Sequence, residues 1–242
     1  KGIPNLSIEF LTTKPSYITE KIGILPDILN TVYIVIATLL IVLPLGVGAA
    51  IYLVEYAKKG NKIVGLVRLT AETLTGIPSI IYGLFGMLFF VTALGWRNSI
   101  LAGAMTLAIM VLPTVMRTTE EALLSVPDSY REGSFGLGAG KLRTIFQIVL
   151  PAAIPGILSG VILSVGRIVG ETAALIYTSG TVAGLAGIMD SGRTLAIHMY
   201  VLSNEGMHKN EANATAVVLL IIVLGINALS GKLAKKLKAP AV

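Results

Sequence analysis

The chain has 242 residues, of which 54% are hydrophobic and only 13% are charged, and its mean hydropathy is +0.82. Soluble domains have about 25% charged residues, so this composition excludes an ordinary soluble protein and predicts a membrane protein. There is no cysteine, which excludes disulfides and thiolate metal sites, and the two histidines, His198 and His208, are too few for a metal cluster.

Five apolar stretches predict an all-α bundle of membrane-spanning helices. Their limits are 28–54, 63–94, 100–116, 155–177 and 212–229. The second stretch exceeds one span of about 20 residues, and the glycine and proline within 76–78 divide it. Its first part, with Arg68 and Glu72 four residues apart, predicts an amphipathic helix at the cytoplasmic surface, and 79–94 predicts the membrane segment. Residues 194–202 predict a short amphipathic helix on the external side.

Basic residues are divided unequally between the two sides of such a bundle. Twelve lie on one side, six lie on the other and Arg167 lies within a span, which accounts for all 19. The positive-inside rule makes the richer side cytoplasmic, so the N-terminus is expected outside and the C-terminus inside. The basic C-terminal tail then contacts anionic lipid rather than nucleic acid. Because the sequence begins at Lys1 rather than Met, we expect one earlier span upstream, with a cleaved signal peptide as the alternative.

A spaced motif occupies the polar loop between the third and fourth stretches. Its residues are Glu132, Gly133, Ser134, Gly138, Ile148, Leu150 and Pro151. Glu132 suits a helix N-terminus and Gly138 suits a left-handed stop, so a short helix is expected within 128–138. Pro151 suits the first turn of the next helix. An ordinary amphipathic linker is the alternative interpretation of this loop.

The spacing of this motif resembles the EAA loop of the permease subunits of bacterial ABC importers. In that family the loop docks on a separate ATPase, so the resemblance implies that 128–150 is a cytoplasmic coupling loop. Gly133 and Ser134 stand where alanine is usual; both are small, so close approach to a partner is retained while helix propensity falls. The resemblance also implies a MetI-like fold, with 1–242 forming a single transmembrane permease domain.

The glycine-rich run at 136–141 does not fit the pattern of a phosphate-binding loop. Phe135 replaces the first glycine of that pattern, and Leu142 replaces its serine or threonine. We therefore expect no cofactor in this chain, with ATP and Mg²⁺ bound by the partner ATPase.

Three other segments resemble a narrower group, the phosphate-specific transport permeases. They are 76–86, 112–123 and 167–173. The sequence of the last segment is more similar to the A subunit than to its C-subunit paralogue. The resemblance implies an importer of inorganic phosphate in a prokaryotic cell membrane, with a C-type permease, ATPase subunits and an extracytoplasmic phosphate-binding protein as partners. The alternatives are the same fold importing another oxyanion or small solute, and the C-subunit paralogue. A membrane enzyme is disfavoured because the spans contain no catalytic constellation.

Arg167 and Glu171 are the candidate residues for handling the anion. Four residues apart in one expected helix, they would share a face, about 6 Å apart along its axis. Counted from Gly156, Arg167 lies about 16 Å into the span, near the middle of a ~30 Å core, where a charge must face the bundle or a wet pathway. Its planar guanidinium suits phosphate, and the nearby carboxylate would prevent binding that is too tight. A structural ion pair between helices is the alternative.

Arg117 and Thr172 complete the candidate substrate pathway. Thr172 belongs to the segment that matches the phosphate-specific permeases. Arg117 lies at the cytoplasmic end of the third stretch, where an arginine can reach lipid headgroups without any further role. The resemblance implies instead that Arg117 lines the phosphate exit, with residues 118–121 at the same mouth.

Overall fold

The computed structural model describes residues 2–15, 22–58, 60–206 and 208–237, and within these ranges all regular elements are helices. After a 3₁₀ turn at Ile3–Asn5, the helices are α1 (Ile8–Thr12), α2 (Leu25–Ile51), α3 (Lys62–Thr75), α4 (Ser79–Gly86), α5 (Ile100–Leu124), α6 (Asp128–Gly136), α7 (Lys141–Thr144), α8 (Leu150–Val169), α9 (Ala173–Thr178), α10 (Leu195–Glu205) and α11 (Lys209–Leu237). Three π-helical turns extend this set: Tyr52–Tyr56 follows α2, Met87–Ala93 follows α4, and Ile145–Val149 joins α7 to α8.

Four helical stretches are long and apolar enough to cross a membrane: Leu25–Tyr56, Ile100–Leu124, Lys141–Val169 and Lys209–Ala228. A fifth candidate is the pair Lys62–Thr75 and Ser79–Ala93, which is bent by 102° at its break. The predicted all-α class and the predicted break at 76–78 are therefore confirmed. Pro78 occupies the N-cap of α4, where the N–H that proline lacks is not needed for the helix.

The predicted limits of two spans are wrong. α5 continues to Leu124 instead of ending at 116, because Pro113 is accommodated inside the helix. The helix expected at 155–177 begins already at Lys141 and ends at Val169. Pro151 nevertheless lies in the first turn of α8, as expected, although α7 and a π-helical turn extend the helical stretch back to Lys141. The π-helical turn directly before Pro151 shifts the hydrogen-bonding register, which accommodates a residue without an N–H.

The described chain divides into two compact units. The first consists of Lys1–Ile41, Ile77–Met110 and Val165–Gly225. In it α9 packs against α4, and Gly83 allows this because a Cβ there would lie 2.8 Å from the Cα of Ala174. The expected external helix is present as α10, but Leu195, Ile197 and Leu202 are buried, so it is a core element of this unit rather than a surface helix.

The second unit consists of Val42–Gly76, Val111–Ser164 and Ile226–Val242. One apolar core joins its helices, and its buried members include Leu53, Ala71, Leu123, Val149 and Ala153. These side chains come from the π-helical turn after α2, from α3, from α5 and from the α7–α8 segment. α6, which lies between α5 and α7 in the chain, packs against α7 and the π-helical turn after it.

Candidate functional site

Arg167 and Glu171 do not share a helix face as predicted. Arg167 lies in the last turn of α8, and Glu171 lies beyond its end, in the break before α9. The Oε1 atom of Glu171 accepts a hydrogen bond of 3.1 Å from the backbone N–H of Ala174. This carboxylate satisfies an N–H that the first turn of α9 would leave unpaired, and it meets the positive end of the helix dipole. Glu171 thus helps to begin a new helix where the predicted one was expected to continue.

Arg167 has no carboxylate partner within the part of the chain that the structure describes. The structural ion pair of Arg167 and Glu171, which was the alternative interpretation, is therefore not formed. The Arg167 side chain is half-buried, and it interacts electrostatically with Tyr82, a buried residue of α4. The carbonyl end of α8 favours a cation at this position. The guanidinium consequently keeps hydrogen-bond donors available for an oxyanion.

The depth predicted for Arg167 also changes. That depth was counted from Gly156, but the helix begins at Lys141, so Arg167 lies about 39 Å along it and near its far end. Thr172 follows at the N-cap position of α9, where its side chain makes no capping hydrogen bond. Its Oγ1 lies 3.5 Å from the carbonyl oxygen of Gly170. Arg167 and Thr172 therefore lie on the two sides of one helix break.

Arg117 belongs to a charged cluster in the second unit. Its Nε lies 3.3 Å from Glu121 and its Nη1 lies 3.8 Å from Glu72, while Arg68 pairs with Glu120. These five side chains line one cleft of about 230 Å³ formed by α3 and α5. Three carboxylates outnumber two guanidiniums there, so the cleft repels a phosphate anion more than it attracts one.

The two threonines expected beside Arg117 do not line this cleft. Thr118 donates from its Oγ1 to the carbonyl oxygen of Thr114 at 2.9 Å, within its own helix. Thr119 is fully buried. Because α5 continues through this region, its helical period turns both side chains away from the face that carries Arg117 and Glu121.

A short helix, α6, lies within the range expected for the coupling loop. Gly138 follows it with a φ of +81°, the left-handed conformation expected of the stop. Glu132 lies in the middle of α6 rather than at its start, where Asp128 supplies the acidic residue of the first turn. Glu132 and Gly133 are both exposed, so their surfaces are available to a partner.

Ser134, expected to contact the ATPase, is instead turned inward. Its side chain is 5% exposed, and its Oγ lies 2.8 Å from the Oγ1 of Thr144. The small residue at this position therefore serves the packing of α6 against α7. In the second half of the motif, Ile148 and Leu150 are half-buried and Pro151 is exposed.

Arg131, which the motif does not include, fixes α6 to its unit. Its guanidinium donates to Glu55 Oε1 at 2.9 and 3.1 Å. It also donates to the carbonyl oxygens of Leu123 and Val126, at 3.0 and 2.8 Å. Because α5 ends at Leu124, no N–H of a following helical turn is available to these carbonyl oxygens. The side chains of Arg131 and Glu55 are 14% and 9% exposed. Because the two residues lie 76 positions apart, no local pattern indicates this pair.

A second ionic cluster that sequence reasoning missed lies in the first unit. The carboxylate of Asp27 accepts hydrogen bonds from Arg193 Nε at 3.0 Å and Nη2 at 3.1 Å. Nδ1 of His198 lies 3.0 Å from Asp27 Oδ2, although the ring is not aligned for a hydrogen bond. All three residues are buried, so the cluster joins the start of α2 to α10 and its lead-in. The one feature of the local sequence that indicates this cluster is Asp27 itself, an aspartate just after Pro26 at the edge of an apolar stretch.

Comparison with known proteins adds to this geometry. The family model described as the inner membrane component of binding-protein-dependent transport systems matches residues 42–238. The chain is 37% identical to the probable ABC transporter permease protein YqgI of Bacillus subtilis, over 93% of this chain and 82% of that protein. It is also 37% identical to the phosphate transport system permease protein PstA of Haemophilus influenzae, over 94% of this chain and 81% of that one.

Among solved structures, the MetNI methionine ABC transporter in an inward-facing conformation contains a similar chain. The TM-score is 0.68 at 21% sequence identity, and the match covers 90% of this chain and 95% of the other. At this level of identity the likeness concerns the fold, and it confirms the expected MetI-like architecture.

Proposed function

Because this chain belongs to the family of binding-protein-dependent transport system inner membrane components, we propose that it is an A-type permease subunit that moves inorganic phosphate through the cell membrane. A relative that is 37% identical over most of both chains is a phosphate transport permease, which favours this anion. The chain provides part of the route, and a separate subunit hydrolyses ATP.

Arg167 is the observation that carries this proposal. Arg167 lies near the far end of its helical stretch, where a charged side chain avoids lipid by facing the bundle interior, a water-filled path or the membrane surface. Arg167 is half-buried, and no carboxylate within the described residues neutralises it. A guanidinium donates two parallel hydrogen bonds to two oxygens of one phosphate group. A permease for a neutral solute has no need of this unpaired cation.

Glu171 and Thr172 shape the path without binding the anion through a charge pair. Glu171 caps α9 through Ala174 and so sets where the chain resumes its helix after Arg167. Thr172 places a hydroxyl in the break itself. Arg117, in a cleft of the second unit that contains three carboxylates, belongs to an ion-pair cluster rather than acting as a phosphate ligand.

The ATPase docks on α6, α7 and the loop between them. Four large apolar side chains of this segment are exposed, Tyr130, Phe135, Leu137 and Leu142, and Phe146 in the following π-helical turn is exposed as well. Leu137 is 91% exposed, which is costly unless another protein covers it. Charged neighbours such as Glu132 and Arg143 keep the segment out of the membrane and in reach of a cytoplasmic partner. An extracytoplasmic phosphate-binding protein and a C-type second permease complete the assembly.

Reconstitution tests the proposed function directly. The chain, a C-type permease and the ATPase are placed in proteoliposomes, with the binding protein added outside and ATP inside. We expect ATP-dependent uptake of phosphate, with no uptake when the binding protein is omitted. Uptake of sulfate or methionine in preference to phosphate would instead establish the same fold serving another solute.

A further inference from the structure

An open, partly polar cavity lies in the first unit where the chain enters α5. It has a volume of about 490 Å³, and we call it the Arg97 cavity. Its lining is Arg97, Asn98, Ile176, Gly180, Thr181, Val182, Met189, Asp190 and Ser191. It lies before the first residue of α5, whereas α6 follows the last. On the proposed topology it therefore opens on the external side.

The backbone around the Arg97 cavity is firmly held. Ser99 donates its N–H to the carbonyl oxygen of Thr178 at 3.0 Å, and Ile100 donates to that of Asp190 at 3.1 Å. Ser191 donates from its hydroxyl to the carbonyl oxygen of Ser179 at 3.0 Å. These hydrogen bonds connect three separate segments of the chain, so the cavity has a fixed frame rather than mobile walls.

Three donor side chains at this cavity are exposed to solvent, so a ligand can reach them. Arg97, Asn98 and Thr181 make no hydrogen bond or ion pair with any residue that the structure describes. Arg97 also has a φ of +54°, a conformation that residues other than glycine rarely adopt. Strained backbone of this kind concentrates at functional sites, and here it presents a guanidinium at the cavity.

We infer that the Arg97 cavity is an outer binding site for a phosphate oxyanion, which rests on the proposed function of phosphate import. Arg97 would bind two phosphate oxygens through its planar fork, while Asn98 and Thr181 donate to the others. The site lies at the end of α9, and Arg167 precedes the start of that helix. α9 has six residues and is about 9 Å long, so the two arginines would serve successive positions of one anion.

Asp190 makes this site selective among oxyanions. It is the only acidic residue of the lining, and its Oδ2 accepts the N–H of Gly187 at 3.1 Å, which leaves Oδ1 free. A carboxylate repels a bare anion but accepts a hydrogen bond from a P–OH group. Phosphate has such a group at neutral pH and sulfate does not, so Asp190 favours phosphate. Its charge also offsets Arg97, which keeps binding weak enough for onward passage.

Direct binding tests the site independently of the binding protein. Radiolabelled inorganic phosphate is titrated into the detergent-purified complex of both permeases and the ATPase, with no binding protein present. We expect Arg97→Gln to weaken phosphate binding about ten- to a hundredfold and Thr181→Val to weaken it by less than about tenfold. Arg97→Lys should fall between wild type and Arg97→Gln, because it keeps the charge but loses the fork. Asp190→Asn should raise the affinity for sulfate relative to phosphate.

The controls separate this inference from its competitors. Lys209→Gln removes a positive charge at the start of α11, outside the cavity lining, and should leave binding unchanged. Binding by Arg97→Gln equal to wild type, with phosphate uptake intact, would overturn the site and leave the proposed function standing. The site would also be overturned if Arg97→Gln reduced binding-protein-dependent uptake but left direct phosphate binding unchanged. Arg97 would then contact the binding protein rather than phosphate. If Arg97→Gln does not assemble, unchanged binding in Thr181→Val and Asn98→Ala overturns the site. Absence of phosphate uptake by wild type would refute the proposed function itself.

Discussion

At the scale of single residues, we propose that the guanidinium of Arg167 determines what the inner part of the route can bind. Arg167→Lys keeps the positive charge but loses the planar fork, so we expect phosphate uptake to fall at least about tenfold at equal membrane abundance. Arg167→Ala should abolish uptake. The measurement is ATP-dependent phosphate uptake in proteoliposomes, with the amount of assembled complex matched by quantitative blotting.

Substitutions of Glu171 distinguish a role in capping α9 from a role in balancing the charge of Arg167. Its Oε1 accepts the N–H of Ala174, and the amide oxygen of glutamine can accept the same hydrogen bond. We therefore expect Glu171→Gln to retain most of the uptake and Glu171→Ala to reduce both the amount of folded complex and its uptake. Loss of uptake in a well-assembled Glu171→Gln variant would restore the charge-balancing role that the sequence suggested.

We expect the buried cluster of Asp27, Arg193 and His198 to stabilise the folded chain. Asp27 is fully buried and binds Arg193 through both oxygens, so removing its charge leaves a buried guanidinium uncompensated. We expect Asp27→Asn to lower the free energy of unfolding by about 3–5 kcal/mol, observed as a lower Tm of the purified permease in detergent. Asp128→Asn is the matched control, because that side chain is 87% exposed and its ion pair with Arg131 contributes little.

At the scale of elements, Arg131 connects α6 to the ends of two spans. It binds Glu55 in the π-helical turn after α2, the carbonyl oxygen of Leu123 in the last turn of α5 and that of Val126 just beyond it. We therefore expect movement of α6 to be transmitted to both spans. We expect Arg131→Met to raise the ATP hydrolysed per phosphate imported, and Glu55→Gln to do so less because the carbonyl contacts remain. Lys62→Met, at an exposed lysine of α3 outside the proposed docking segment, is the control. Normal stoichiometry in a fully assembled Arg131→Met complex would contradict this connection.

The stop after α6 depends on backbone conformation rather than on space within this chain. Gly138 has a φ of +81°, and a Cβ there would meet no atom within 4 Å. A β-branched residue would cost roughly 1–2 kcal/mol in that conformation, whereas asparagine adopts it more readily. Gly138→Val should therefore uncouple hydrolysis from uptake while the chain still inserts, and Gly138→Asn should remain coupled. Equal uncoupling by both variants would mean that the added side chain clashes with the ATPase, and that the backbone conformation of the turn is not the cause.

Local chemistry made some of these elements predictable from the sequence. Glycine and proline at 76–78 and Gly138 end their helices through their own backbone properties, and both ends are where they were expected. The break after Val169 was missed because apolar residues continue through Tyr177, although Gly170 and Thr172 form a stop and start signal. The inward position of Ser134 depends on Thr144, and no pattern in the loop predicts which side chains two packed helices share.

At the scale of the whole molecule, the assignment of pathway and coupling surface requires the two to open on opposite sides of the membrane. The Arg97 cavity comes before α5 and α6 comes after it, and α5 is a 25-residue helix that is apolar enough to span. On the proposed topology, which follows from the unequal distribution of basic residues, α6 would lie in the cytoplasm. Phosphate would then enter near Arg97, and ATP-driven movement would act through α6 from the other side.

Cysteine labelling in intact cells tests this topology. Single cysteines replace Lys14 and Lys209 on the side proposed as external, and Lys62 and Lys141 on the side proposed as cytoplasmic. The chain has no cysteine of its own, so it contributes no background. We expect an impermeant thiol reagent added outside to label the first pair only, and to label all four after the membrane is permeabilised, which controls for accessibility. Labelling of the second pair alone in intact cells would invert the topology, and with it the proposed direction of entry and the cytoplasmic ATPase surface.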